Sequence, residues 1–155
     1  MGEEMEAKII PVIHNISSVQ KLIDMARLSF GFGYKNIIIT KAYGGAAQNG
    51  VAEVFKISLK EGKGVVVLPD LKDVIDLYNP KKVILIDKEN SKDEIDIVNP
   101  PVNNDLMLVF NGSDSSFSPI EISLGEPYYI KGVKGRIGSV AEAALLLYAY
   151  SRFLA

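Results

Sequence analysis

The chain has no cysteine and a single histidine among its 155 residues. Without thiols it can form no disulfide, thiolate metal site or cysteine nucleophile, and one imidazole excludes a multi-histidine metal site within the chain. No apolar run approaches the roughly 20 residues that span a bilayer. The N-terminus, MGEEMEAK, is acidic and polar, unlike the basic start of a signal peptide. We therefore expect a cytoplasmic protein with neither a membrane segment nor a metal site.

The remaining composition is that of an ordinary globular domain. Hydrophobic residues make up 48% of the chain and charged residues 23%, and the length suits one domain. The net charge of −2 gives no general attraction to nucleic acid. Lys131, Lys134 and Arg136 nevertheless form a local basic patch, so a nucleic-acid partner stays open.

Apolar, β-branched runs alternate with stretches of helical periodicity along the chain. They predict strands at 8–13, 36–40, 64–68, 82–87, 105–110 and 126–130. Helices are expected from Ser17 or Ser18 to about Phe30 and over 51–59, 71–78 and 138–153, with room for a short one at 93–98. This alternation predicts an α/β fold with a mainly parallel sheet and helices on both faces. Pro11 favours an edge position or a bulge for the first strand.

Two glycine-bearing loops follow the last two predicted strands, where an open α/β sheet binds small ligands. The first, NGSDSSFSP (111–119), is either a binding loop or a strand-to-helix turn capped by Ser115 or Ser116. It matches neither a P-loop nor a dinucleotide fingerprint. The second, IKGVKGR (130–136), is either a solvated surface or a functional loop. Arg136 stands out in it, because a guanidinium can grip a phosphate or carboxylate at two points.

The last predicted helix, GSVAEAALLLYAYSRF, is apolar around most of its circumference. Such a helix lies either at the centre of a large core or in an interface. For a domain of this size we expect a homodimer interface.

The order of these segments resembles the SpoU-type (TrmH-like) branch of the SPOUT class of AdoMet-dependent RNA methyltransferases. LVFNGSDSSFSP is similar to that family's LVLG strand, GSEG-like loop and LSP turn, and RIGSVAEAALLLY is similar to its SLNVSVAAAILLYE helix start. Asn15, followed by an amphipathic helix and Gly31, matches the N-terminal motif more weakly.

The resemblance implies one SPOUT-like domain over residues 1–155, with a deep C-terminal trefoil knot that holds AdoMet and a dimer through the first and last helices. It implies an enzyme that methylates RNA, in particular the ribose 2′-oxygen of tRNA or rRNA. The cofactor-binding positions that it implies are Phe110, Gly112, Ser113, Ile130, Gly132, Ile137 and Ser139.

The chain departs from the family at its catalytic positions. Asp24 aligns with the helical arginine of the family, and Arg136 and Gly138 replace the serine and asparagine that begin its last helix. Two other readings therefore stay open: a catalytically degenerate relative that binds AdoMet or RNA, and an unrelated α/β domain that binds a nucleotide or metabolite. The residues expected to act are Arg136 and Asn15 in catalysis, Lys131 and Lys134 on RNA, and Arg27 and His14 in reserve.

Overall fold

The computed structural model describes residues 8–102 and 104–154. The acidic N-terminal residues 1–7, on which the expectation of no signal peptide rests, lie outside that range, as do Asn103 and Ala155. None of the helices in the described part is long and apolar enough to cross a membrane. The elements are β1 (Lys8–His14), α1 (Val19–Gly31), β2 (Asn36–Thr40), α2 (Gly45–Glu61), β3 (Gly64–Leu68), α3 (Leu71–Tyr78), β4 (Lys82–Ile86), β5 (Asp93–Ile95), β6 (Asp105–Asn111), α4 (Pro119–Ile122), β7 (Glu126–Ile130) and α5 (Ser139–Ser151).

The strands form one seven-stranded sheet in the order β3-β2-β1-β6-β4-β7-β5. Every pair of neighbouring strands is parallel. The carboxyl ends of the strands therefore share one edge of the sheet, and side chains far apart in sequence meet there. This confirms the predicted α/β fold with its parallel sheet, whereas the trefoil knot stays a prediction.

Helices cover both faces of the sheet, as predicted. Successive side chains of a strand point to opposite faces, and β6 shows the division clearly. Leu106, Leu108 and Phe110 join the core beneath α1, α2 and α5. Met107 and Val109 join the opposite core, beneath α3. A strand buried on both faces has to be apolar at every interior position, as this one is.

The expectation of an edge or bulge for the first strand is wrong, since β1 lies between β2 and β6 near the middle of the sheet. Pro11 pairs in register with Leu108 of β6. The ladder with β2 begins only at Val12, which is opposite Ile38. The proline thus falls just outside that ladder, where its missing N–H interrupts no bond between the two strands.

Three local predictions also need correction. The segment 93–98 contains strand β5 rather than a helix, because Ile95 is buried and pairs with Ile130 of β7. Helix α2 begins at Gly45, six residues before the predicted start at Val51. The cap of α4 is Ser118, not Ser115 or Ser116, and Ser118 and Glu121 form a reciprocal capping box.

Helix α5 packs its apolar side chains onto the sheet and against α1. Leu146, Leu147 and Tyr150 are fully buried, and the hydroxyl of Tyr34 donates a hydrogen bond of 2.7 Å to the carbonyl of Leu147. Tyr148 points outward with 67% of its surface exposed. Most of the apolar surface of the helix is thus used within the chain, and the homodimer stays a prediction.

Candidate functional site

The carboxyl edge of the sheet is cross-braced by backbone hydrogen bonds between strands that are distant in sequence. The amide of Asn15 donates to Thr40 at 2.9 Å, that of Lys41 to Pro69 at 3.0 Å, and that of Gly112 to His14 at 2.7 Å. Asn15 and Lys41, which follow β1 and β2, have left-handed φ angles of 61° and 54°. Left-handed backbone is strained for a lysine and is often found at functional sites.

Five side chains meet at this edge, and we call them the strand-end cluster: His14, Thr40, Lys41, Asp70 and Glu121. His14 is 1% exposed and is held at both ring nitrogens. Its Nδ1 lies 2.7 Å from Thr40 Oγ1, and its Nε2 lies 2.6 Å from Glu121 Oε2. The imidazole is therefore fixed in one orientation, with its ring stacked on Phe117.

Glu121 is the electrostatic centre of the cluster. Burial alone would raise the pKa of its carboxyl, but the Ser118 amide, His14 and Lys41 together outweigh burial and lower that pKa. The Lys41 ammonium lies 4.0 Å from Glu121 Oε2 and remains 39% exposed. A negatively charged carboxylate and a partly exposed cation thus stand side by side at the surface.

Asp70 completes the cluster from the start of α3. Its carboxylate caps that helix by accepting from the amide of Leu71 at 2.9 Å, and it remains exposed to solvent. Possible metal-ligand atoms of His14, Asp70 and Glu121 all lie within 4.8 Å of one another. Among the described residues, these three form the group that could hold a metal ion. The single histidine excluded a multi-histidine site, but it does not exclude this mixed set.

A second concave site, which we call the loop cleft, lies farther along the same edge. It encloses about 380 Å³ between the two glycine loops, the start of α5 and the segment after β4. The lining residues are Lys21, Ile86, Asp87, Lys88, Glu89, Asn111, Ser113, Asp114, Ser115, Ser116, Arg136, Ile137, Gly138, Ser139 and Glu142.

Arg136 joins the two glycine loops across the cleft. Its guanidinium donates a hydrogen bond of 2.7 Å to the carbonyl of Asp114 and forms an ion pair with Glu89. Ser116 also donates to the Glu89 carboxylate. The arginine predicted to act in catalysis is therefore engaged by the walls of its own cleft.

The N-terminus of α5 opens into the cleft without a side-chain cap. Gly138 occupies the N-cap position with a left-handed φ of 91°. Ser139 is 6% exposed, and its Oγ has no hydrogen-bond partner among the described residues. First-turn amides of a helix have no partners within it and attract anions. The buried hydroxyl and this helix start together form a polar part of the cleft wall.

Glu142, one turn into α5, is the most perturbed carboxyl of the cleft. Burial and, after it, the charge of Asp87 raise its pKa to about 7, against the opposing effect of Arg136. This carboxyl therefore changes charge near neutral pH, whereas Glu121 in the strand-end cluster stays ionised.

The structure brings only some of the predicted site residues together. Ser113, Arg136, Ile137 and Ser139 line the cleft. Phe110 and Ile130 are instead core residues, because their side chains follow the alternation of buried strands. Gly112 is packed so closely on Ile16 that an added Cβ would lie 2.5 Å from it.

The other predicted residues lie outside the cleft lining. Gly132, with a left-handed φ of 88°, and Lys134 are exposed. Lys131 lies 4.0 Å from Asp96. Asn15 adjoins the strand-end cluster through its bond to Thr40. The functional roles of these residues, and those of the residues in the cleft, stay predictions.

Sequence reasoning missed Lys41, Asp70 and Glu121 as site residues. Asp70 was visible only as the start of a helix, and Glu121 belongs to a four-residue helix that the turn signals concealed. A polar residue at or near the end of a predicted parallel strand was the signal that could have found Lys41 and Asp70, whereas Glu121 lies in α4 and carries no such signal.

Comparison with known proteins gives two different results. Residues 44–149 match the family model described as RecB-family nuclease (DUF2122). The chain is 42% identical over 148 residues to a candidate type II restriction enzyme, ApeKORF2002P, of Aeropyrum pernix, with 93% of each chain covered. The chain belongs to the DUF2122 family. A second relative, the candidate type II restriction enzyme MjaORF1200P of Methanocaldococcus jannaschii, is 34% identical over 145 residues, which cover 94% of this chain and 97% of that protein.

Solved structures resemble the DUF2122 chain in fold. The SpoU methyltransferase AviRb of Streptomyces viridochromogenes, solved in complex with AdoMet, superimposes with a TM-score of 0.75 at 12% identity. The match covers 97% of the DUF2122 chain and 59% of the AviRb chain, so the DUF2122 chain spans about three fifths of that protein. Likeness at this identity concerns the fold alone.

The resemblance to SpoU-type proteins is thus supported for the fold, while the prediction of an AdoMet-dependent RNA methyltransferase is wrong. The family match and both relatives name nucleases or restriction enzymes instead. The relatives and the fold neighbour all carry the names of enzymes, which agrees with the expectation of an enzyme. The relatives' names disagree with the predicted reaction, whereas that of the fold neighbour, a methyltransferase, shares it.

Proposed function

We propose that this DUF2122 chain hydrolyses phosphodiester bonds of nucleic acid at the strand-end cluster. One observation carries the proposal: the Lys41 ammonium lies 4.0 Å from Glu121 Oε2 at the point where Asp70 and His14 also converge. A cation beside two carboxylates suits a reaction in which water attacks a phosphate that already carries negative charge. The family match, which names nucleases, supports the same reaction class.

The roles follow from exposure and charge. Lys41 is half-exposed and would bind a phosphate oxygen and stabilise the charge that grows on it in the transition state. Asp70 faces solvent and would take the proton from the attacking water. The new P–O bond forms as the bond to the leaving oxygen breaks, and the leaving oxygen takes its proton from water. His14 is too buried to touch substrate and would position Glu121.

We propose nucleic acid as the substrate class, with DNA favoured by the restriction-enzyme names of both relatives. RNA is proposed beside DNA because Lys131, Lys134 and Arg136 lie close together in sequence. Lys131 and Arg136 also face the carboxylates of Asp96 and Glu89, so Lys134 carries most of this argument. Because the chain has a net charge of −2, contacts with phosphate would have to be made by such local cations.

Lys41 and Lys35 provide a matched test because they flank the two ends of the same strand, β2. Lys41→Met should lower the cleavage rate of single- and double-stranded DNA and RNA by about a hundredfold, the cost of losing one donor to a developing oxyanion. Lys35→Met removes the same charge at the opposite edge and should leave the rate unchanged. Equal rates for the two variants, or no cleavage of any of these substrates by the unaltered protein, would reject the proposal.

A second candidate function, ligand binding, is favoured by the unpartnered Ser139 hydroxyl in the loop cleft. We propose AdoMet as the ligand. The uncapped start of α5 and Ser139 suit its carboxylate, and Asp87 and Glu142 suit its positively charged groups. The likeness in fold to a structure that contains AdoMet agrees with this choice. Binding is all that is proposed for this cleft.

Calorimetric titration with AdoMet tests this second candidate. Ser139→Ala should weaken binding by about tenfold or more, as the loss of one hydrogen bond to a charged group does. Ser151→Ala, at the far end of the same helix, should not change the affinity. No heat from the unaltered protein would reject AdoMet as the ligand.

A further inference from the structure

Three residues of the strand-end cluster have the donor atoms of a metal site. His14 supplies an imidazole nitrogen, and Asp70 and Glu121 supply carboxylate oxygens, all within 4.8 Å of one another. The donors come from the ends of β1 and β3 and from α4, three segments that are separated by more than fifty residues at each step. The fold brings these three donors together. Neighbouring acidic residues in one run, in contrast, would lie close together because of local sequence alone.

The spacing of the donors is close to that of a coordination sphere. Bonds of about 2.0–2.2 Å from nitrogen and oxygen to a tetrahedral zinc ion place the ligand atoms about 3.4 Å from one another. His14 Nε2 and Glu121 Oε2 are 2.6 Å apart, and the set as a whole spans up to 4.8 Å. Small shifts of the exposed Asp70 and the part-buried Glu121 would place all three atoms around one ion.

Thr40 prepares His14 for this role. A histidine that binds an ion through Nε2 must carry its proton on Nδ1, and a partner for that proton fixes the tautomer. Thr40 Oγ1 lies 2.7 Å from Nδ1 and is buried, so it can accept a hydrogen bond from Nδ1–H once an ion replaces the proton that Nε2 shares with Glu121. Phe117, stacked on the ring, keeps one face of the imidazole dry. Nε2 itself lies 2.6 Å from Glu121 Oε2.

We propose that His14, Asp70 and Glu121 bind a divalent transition-metal ion, Mn²⁺ or Zn²⁺. One imidazole with two carboxylates favours these ions over Ca²⁺, which prefers oxygen ligands alone. Three protein ligands leave positions open for water and substrate, as in catalytic rather than structural sites. The ion as cofactor of hydrolysis rests on the function proposed above, whereas its binding does not.

The position of Lys41 predicts that metal binding and cleavage respond in opposite directions when its charge is removed. Its ammonium neutralises part of the charge of Glu121 when no ion is bound. A bound cation would compete with it and repel it toward solvent, where a phosphate can meet it. Lys41→Met should therefore tighten metal binding while it slows cleavage by about a hundredfold, a split that a purely structural role of the cluster does not predict.

The single histidine makes the test unambiguous, because the imidazole NMR signal of the untagged protein belongs to His14. Added Mn²⁺ should broaden that signal, and added Zn²⁺ should shift it, in a saturable way. Asp70→Asn should weaken both effects at least tenfold while the helix cap survives, since asparagine caps a helix as well as aspartate. Asp76→Asn, with the same charge change on the same helix, should match the unaltered protein, and Lys41→Met should bind about threefold more tightly.

An imidazole signal that is unchanged at millimolar Mn²⁺ and Zn²⁺ would overturn the proposal, as would equal affinities for the two aspartate variants. These outcomes are separable from the fate of the proposed function. Metal binding without cleavage of nucleic acid would remove the function and keep the site. Cleavage that persists in a chelator, with no effect on the His14 signal, would remove the site and keep the function.

Discussion

The strand-end cluster and the loop cleft share one edge of the sheet but are built in opposite ways. In the cluster, a buried histidine has partners at both ring nitrogens, and Glu121 has its pKa lowered by hydrogen bonds and cations. In the cleft, a buried hydroxyl has no partner in the described part of the chain, and Glu142 has its pKa raised to about 7 by burial and Asp87. The cluster holds charged groups at fixed positions. The cleft instead contains polar groups to which a bound ligand would have to form hydrogen bonds.

The largest expected effect on stability comes from a substitution at Gly112, which joins the strand-end cluster and the loop cleft. Its amide donates to His14, its neighbour Ser113 lines the cleft, and an added Cβ would lie 2.5 Å from Ile16. Gly112→Val should lower the free energy of unfolding by about 3 kcal/mol through overpacking. Urea denaturation measures this change.

Gly135→Val is the matched control, because no atom lies within 4 Å of a Cβ built at that loop position. It should change stability by less than about 0.5 kcal/mol. Similar losses in the two variants would mean that the close contact with Ile16 is not what holds the two regions together.

The next largest effect compares two buried side chains. Both ring nitrogens of His14 have hydrogen-bond partners, whereas the hydroxyl of Ser139 has none among the described residues. His14→Ala leaves a cavity and removes the partners of Thr40 and Glu121, so it should cost about 3 kcal/mol. Ser139→Ala removes a hydroxyl without a partner in the described chain and should be neutral or slightly stabilising when no ligand is present. Thermal and urea unfolding of both variants provide the comparison, which fails if Ser139→Ala is the more destabilising change.

The smallest effect is a pH dependence of opposite sign in the two regions. Because the folded pKa of Glu142 is about 7 against an ordinary 4.5, the folded state holds more protons between these values, and stability falls as pH rises through this window. The lowered pKa of Glu121 gives the reverse, a stability that is lost as pH falls below 4.5.

Two glutamine variants separate these contributions. Glu142→Gln should flatten the decline of unfolding free energy toward pH 7, and Glu121→Gln should flatten the acid limb. Unfolding free energies from denaturant curves at several pH values measure both slopes. An unchanged slope near neutral pH in Glu142→Gln would show that another group titrates there.

Sequence patterns predicted the fold better than they predicted the site. Strands β2, β3 and β7 and helix α3 begin and end where periodicity and turn residues place them. Strand β2 shows why, because a buried parallel strand is a continuous apolar run. Elements that depend on distant partners were missed, such as β5, which is a strand because Ile95 pairs with Ile130.

The same distinction applies to the two regions. Much of the cleft comes from two contiguous segments, the loop after β6 and the residues from Arg136 into α5, so the family resemblance could point to Ser113 and Ser139. The cluster exists only after His14, Asp70 and Glu121 have been brought together by the sheet. Its members look locally like a strand end, a helix cap and a capping-box residue, and only the strand order shows that they meet.

The most direct test of the account compares one conservative change in each region. Glu121→Gln keeps the capping-box geometry of α4 and removes the charge from the cluster, and Glu142→Gln removes the charge from the cleft. In single-turnover cleavage of DNA and RNA without AdoMet, we predict that Glu121→Gln is slower by about a hundredfold and that Glu142→Gln cleaves at the unaltered rate. A full rate in Glu121→Gln together with a lost rate in Glu142→Gln would place the chemistry in the cleft and contradict the account.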